Sequence, residues 1–146
     1  MKPQLGDTIL NRYTLVSSLR EEPGIQAWKA NDRVLAKDCQ LFIITNRSAF
    51  AAIDELAGRM AATRPDRVIP VLKYRMESDV LLIVMPVDSG QCLTDYMVDT
   101  AKPLSYSAIR SIIGECADVL REVIADTPSG IVITTDTVRV TTSGVQ

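Results

Sequence analysis

Residues 68–87, VIPVLKYRMESDVLLIVMPV, decide the fold. Two apolar, β-rich runs, 68–76 and 80–87, flank the polar triplet Glu77-Ser78-Asp79, which predicts an antiparallel hairpin. Upstream, Ser48 is a good N-cap, and Phe50, Ile53, Leu56, Ala57 and Met60 then recur at helical spacing. Arg64-Pro65 stops that helix. Before it, QLFIIT from Gln40 is apolar and β-rich and predicts a central strand. Residues 13–19 alternate like a strand, and residues 25–31 are its hairpin partner. One helix therefore sits between three strands and two more.

Downstream, Gly90 marks a break and is followed by a short helix around LTDYMVD. Pro103-Leu104-Ser105 opens the longest helix, about residues 106–125. Its stripe of Ile109, Ile112, Ile113, Cys116, Ala117, Leu120 and Val123 has a period close to 3.6. Gly114 inside this helix has a propensity cost and marks a place for close packing. Two short strands, GIVIT and VRVTT, finish the chain. The expected class is α+β. Residues 1–87 form a β-rich subdomain with a five-stranded antiparallel sheet and one helix. Residues 88–146 form a mostly helical part with a terminal β pair.

The 146 residues, 47% hydrophobic and 23% charged, suit one compact domain that buries roughly 70% of its unfolded surface. A net charge of -2 leaves no electrostatic footprint for nucleic acid. The apolar run VLLIVMPV is too short to span a bilayer, and MKPQLGDTIL lacks a secretory h-region. A membrane association therefore requires segments outside these residues. The three scattered cysteines, Cys39, Cys92 and Cys116, fit reduced thiols in a cytoplasmic domain. The absence of histidine removes Ser-His-Asp and Cys-His catalysis and the commonest zinc ligand. No metal site is expected.

Taken in order, the segments resemble a protein kinase of the bacterial Ser/Thr type. LNRYTLVSSL resembles the opening strand, AWKANDRVLAKDCQLFII the second and third strands with their link, and RPDRVIPVLKY the segment after the third helix. LLIVMPVDSGQCLTDYM resembles the hinge, and LSYSAIRSIIGECADVLREVIADTPSGIVI the long helix leading to the catalytic loop. The resemblance implies a kinase N-lobe followed by a truncated C-lobe, and it places the catalytic positions on unsuitable residues. The phosphate-loop glycines fall on Arg20, Glu22 and Ile25, whose side chains obstruct backbone approach to phosphates. A carboxylate such as Glu21 or Glu22 about 5 Å from a phosphate charge repels it by ~3 kcal/mol at an effective dielectric near 20. The phosphate-pairing lysine falls on Phe42, and Lys37 matches the exposed basic residue before the strand. The helix glutamate falls on Glu55, or on Asp54 if the register slips. Met85 is the gatekeeper, and Pro86 removes a hinge donor. The catalytic-loop signature falls on Ile133, Thr134 and Thr135, with Asp136 read as a turn aspartate and no magnesium-binding DFG following. These residues imply a pseudokinase without catalytic residues, for which ATP and magnesium binding are not expected.

Within that superfamily the chain resembles the kinase-homology domain of actinobacterial MviN (MurJ-type) lipid II flippases, through IQAWKAND and RPDRVIPVLKY. That resemblance implies a cytoplasmic regulatory module tied to peptidoglycan precursor export, with a true Ser/Thr kinase and a forkhead-associated (FHA) domain protein as partners. The N-terminal part of an atypical kinase, or a nucleotide-sensing kinase-like domain, is the alternative. The terminal threonines, among them Thr135, Thr137 and Thr142, are phosphoacceptor candidates, although strand composition explains them more simply. Trp28 and Tyr74 are read as hairpin and core residues before partner anchors. With less cover than in a whole kinase, Ile109, Ile113 and Leu120 are expected to form an apolar surface for a protein partner or a homodimer.

Overall fold

The structure, a computed structural model, describes residues 2–64, 67–77, 79–88, 90–99, 103–124, 134, 137–141 and 144–145. It divides into two compact units, Met1–Arg64 with Pro70–Val87, and Pro65–Ile69 with Asp88–Gln146.

The first unit is built on an antiparallel sheet of six strands. These are β1 (Thr8–Ile9), β2 (Tyr13–Glu22), β3 (Ile25–Asp32), β4 (Lys37–Ile44), β5 (Lys73–Glu77) and β6 (Val80–Pro86), in the spatial order β1-β2-β3-β4-β6-β5. The sixth strand beyond the expected five is β1, whose two residues pair with Thr14 and Tyr13 at the sheet edge. Between β4 and β5 runs α1 (Phe50–Thr63). The largest core gathers Tyr13, Leu15, Trp28, Ala30, Leu41, Ile43, Leu82 and Val84 from the central strands. Ile44, Leu81 and Phe50 form a second cluster with Ile53 of α1 and Ile25 packed on it.

Local chemistry shifts several expected boundaries. Ser48 does not cap α1: its hydroxyl donates to Asn46 Oδ1 at 2.7 Å, and a 3-10 turn over Arg47–Ala49 leads into the helix. Arg64 ends α1 in a left-handed conformation, φ 44°, and its N–H reaches the Met60 carbonyl. The strand expected from residue 68 begins at Lys73 instead. Pro70 has no N–H for a ladder and holds Ile69 to extended geometry, so pairing starts beyond it. The strand expected over 13–19 runs on to Glu22. Glu22 pairs directly with Ile25 across a two-residue turn, Pro23-Gly24. Proline followed by glycine at φ 81° suits a type II turn, which needs a positive φ at its second central residue.

The second unit contains α2 (Leu93–Asp99), α3 (Tyr106–Ile124) and a sheet ordered β7-β8-β9, where β7 is Gln91–Cys92, β8 Arg139–Thr141 and β9 Gly144–Val145. Ser105 opens α3 as a cap: its hydroxyl accepts the Ala108 N–H at 3.2 Å and its carbonyl that of Ile109 at 3.0 Å. Of the terminal pair expected from GIVIT and VRVTT, residues 130–133 lie outside the described residues, and Thr134 is not in a strand. The second run instead supplies β8, which pairs with β7 and β9. Leu93, Val138 and Val145 form this unit's core, with Tyr96, Ile112 and Cys116 packed against it.

Candidate functional site

The tip of the β2–β3 hairpin is where the resemblance places phosphate binding. Arg20, Glu21 and Glu22 are residues of β2, paired across the ladder with Ala27, Gln26 and Ile25. The Gly24 carbonyl accepts the N–H groups of Thr45 (2.9 Å) and Asn46 (3.4 Å), which ties the tip to the end of β4. A Cβ on residue 24 would lie 2.9 Å from Asn46 Cβ, so the approach requires glycine. Ile25 packs on the Ile44–Phe50–Leu81 cluster. Beside the tip lies an open cleft of about 530 Å³ lined by Lys2, Pro3, Glu21, Glu22, Ile43 and Thr45, among others.

The acids here are not bare. Lys2 Nζ lies 2.5 Å from Glu21 Oε1, and the Lys2 hydrogen bond holds the Glu21 carboxyl below its usual range. Arg20 Nε donates to Glu22 Oε1 at 2.6 Å. Both pairs are exposed, so each contributes little to stability.

Phe42 sits in mid-β4, in register with Ala27 on β3 and Ile83 on β6, so an apolar ring stands at the position given to the phosphate-pairing lysine. Two residues along the same ladder, Gln40 and Met85 are directly opposed on β4 and β6. Glu55 is exposed on α1 and takes Arg59, one turn on, as its ion partner. Asp54 is half-buried, and Lys37 is exposed at the start of β4. Pro86 ends β6 opposite Cys39. Trp28 is buried in the main core, and the Tyr74 hydroxyl would stand 3.1 Å from a Cβ on Gly58.

In the second unit, Ile109 and Ile113 are exposed on α3 and Leu120 is half-buried. Thr134 and Thr137 close a turn together: the Thr137 hydroxyl accepts the Thr134 N–H and donates to its carbonyl, both at 3.0 Å. Ile133, Thr135, Asp136 and Thr142 lie outside the described residues. Among the described residues, no group of three or more cysteine or acidic side chains is placed to hold a metal ion, and no helix is long and apolar enough to cross a membrane.

Two polar anchors were not singled out in the sequence. Asp32, 4% exposed, accepts Arg12 Nε at 2.8 Å and Arg12 Nη2 at 2.6 Å, and also the N–H groups of Val34 and Leu35. The Arg12 hydrogen bond lowers its pKa to about 2. Glu115, at the edge of the apolar stripe of α3, accepts the Val145 N–H at 2.9 Å and fixes β9 to the helix. An acid at the end of an apolar strand, and another bordering a helix's apolar face, are the signals that point to such anchors. Burial pushes the Cys39 thiol up to about 11 and raises that of Cys116, so both stay protonated.

No family model matches this chain, and no curated protein matches it. Solved structures do. The crystal structure of the Mycobacterium tuberculosis PknI kinase domain matches with a TM-score of 0.74 at 16% identity, over 99% of this chain and 59% of that one. A cysteine-to-alanine mutant of the same domain gives a TM-score of 0.77 at 16% identity, over 99% and 61%. At that identity the likeness concerns the fold. The chain has a protein-kinase-like α+β fold, with an N-lobe-type sheet and helix followed by a mostly helical part, and it spans about three fifths of the chains it matches.

Proposed function

We propose that this chain is a catalytically inactive kinase-like domain, a pseudokinase, that works as a regulatory protein-interaction module. The observation that supports the reading is Phe42, in register with Ala27 and Ile83 where the resemblance expects the lysine, while Glu55 pairs with Arg59. A phenyl ring cannot supply a charge-assisted contact to phosphate, worth about 1.5–3 kcal/mol. The likeness of IQAWKAND and RPDRVIPVLKY to the MviN kinase-homology domain supports a cytoplasmic place beside a cell-wall precursor flippase. A true Ser/Thr kinase and an FHA-domain protein are the partners that follow from it.

Thermal melting with and without millimolar ATP and magnesium or manganese tests the reading. The expected result is no shift. Binding at ten times the dissociation constant would stabilise by about 1.4 kcal/mol, a shift of a few degrees at this size. One observation favours the alternative, a nucleotide-sensing domain: Lys2 and Arg20 offset the charge that Glu21 and Glu22 would present to phosphate. A clear shift would establish that alternative and retire the first reading.

A further inference from the structure

We propose that the exposed apolar face of α3 receives an amphipathic helix, acidic along one flank, from a protein partner; the inference deepens the interaction-module reading and rests on it. The helical repeat puts Tyr106, Ile109, Ile113 and Ile124 on one side of α3. Tyr106 is 81% exposed and Ile113 63%, and the other two are exposed as well. The adjoining face carries Ile112 and Cys116, which pack on Leu93, Val138 and Val145. The helix thus has apolar side chains on two faces, and the described residues cover one of them. Beside the open face runs a groove of about 410 Å³, lined by Leu93, Met97, Leu104, Ile109, Ile112 and Ile113 among others.

Charge on the flank selects the occupant. Arg110, Gly114, Ala117 and Arg121 are spaced four, three and four residues apart, so they form one line along the helix beside the isoleucines. Nothing lies within 4 Å of the place a Gly114 Cβ would take. Among the described residues Arg110 makes no ion pair, and Arg121 pairs with Asp118 on its own helix. The two arginines are about 16 Å apart along the axis. A helix laid on the isoleucines therefore has small residues along the middle of that flank and a cation towards each end of it. Its matching face has apolar residues at helical spacing with carboxylates along one edge. A second copy of α3 does not fit this flank, because an antiparallel two-fold packing sets Arg110 of one copy opposite Arg121 of the other.

Two synthetic amphipathic helical peptides, titrated into the whole chain, provide the test. Both have the same leucine face; one carries glutamates along its flank and the other lysines at the same positions. The glutamate peptide should bind about tenfold more tightly, the gain expected from two exposed ion pairs. An Arg110→Glu, Arg121→Glu double variant should reverse that order, with its melting curve confirming that it is folded. Ile113→Ser should weaken both peptides. Equal affinities, or binding of neither peptide, would overturn the inference. Self-association in sedimentation that Ile113→Ser abolishes would overturn it in favour of a second copy. The nucleotide melt does not depend on α3, so the two readings can fail separately.

Discussion

At its base, the β2–β3 hairpin holds a part-buried Arg12 against a buried Asp32. At its tip, it leaves Lys2 with Glu21 and Arg20 with Glu22 in the open. The residue types are the same at both ends, and burial separates their consequences. At the base the carboxylate is bidentate and also takes two backbone N–H groups, so it organises the turn after β3 and the entry to β2. At the tip the acids share their charge with flexible bases and organise nothing, because Pro23, Gly24 and the ladder already set the backbone. Fold and candidate function are thus held by different ends of one hairpin.

The largest expected effect breaks the base. Asp32→Ala leaves the Arg12 guanidinium part-buried without its partner and two turn N–H groups unsatisfied, and it should cost about 3 kcal/mol. In a chain of this size the melting temperature should fall by roughly 10 °C. A loss no larger than that of an ordinary surface substitution would show that the base is not the anchor.

Acid reads the same pair without mutation. The Asp32 pKa is lowered to about 2 in the folded chain. Its contribution is therefore complete above the ordinary carboxylate value near 4, and is lost as pH falls from about 4 toward 2. Denaturant midpoints should decline across that window in the parent chain and more shallowly in Asp32→Asn. Parallel curves would mean that other carboxylates dominate acid unfolding.

Much of the fold was legible because apolar periodicity is a local signal. The helix at Phe50, the central strand at Gln40 and the long helix at Tyr106 all follow from it. The boundaries that moved depend on backbone chemistry that periodicity does not carry. Pro70 delays β5, the 3-10 turn displaces Ser48 from its cap, and Pro23-Gly24 lets β2 run three residues further. The anchors were harder still. Asp32 and Arg12 are 20 residues apart, and Glu115 and Val145 are 30 apart. Such pairings come from the assembled fold, whereas the candidate positions Phe42 and Glu55 came from the kinase resemblance of the segments around them.

A smaller effect probes the tip's backbone. Gly24→Ala forces a left-handed conformation on alanine and pushes its Cβ against Asn46, which should cost about 1–2 kcal/mol. The same substitution at Gly6, also at positive φ but with nothing within 4 Å, isolates the conformational part. Gly24→Ala should be the worse of the two. If the pair cost the same, the link from Gly24 to Thr45 and Asn46 has no stabilising role.

The smallest expected effect on stability is the most informative about function. Replacing both tip acids, Glu21→Gln with Glu22→Gln, removes two exposed ion pairs and should leave the melting temperature unchanged within about 1 °C. Asp32→Asn, the same chemical change at the base, should not be neutral. The double variant also separates the two reasons for expecting no nucleotide binding. If acid repulsion alone keeps ATP out, neutral glutamines should produce an ATP-dependent shift that the parent chain lacks. If Phe42 and the tied tip are the cause, the variant should melt identically with and without ATP. The second outcome is expected, because removing two charges supplies neither a cation at position 42 nor backbone N–H groups free of the ladder.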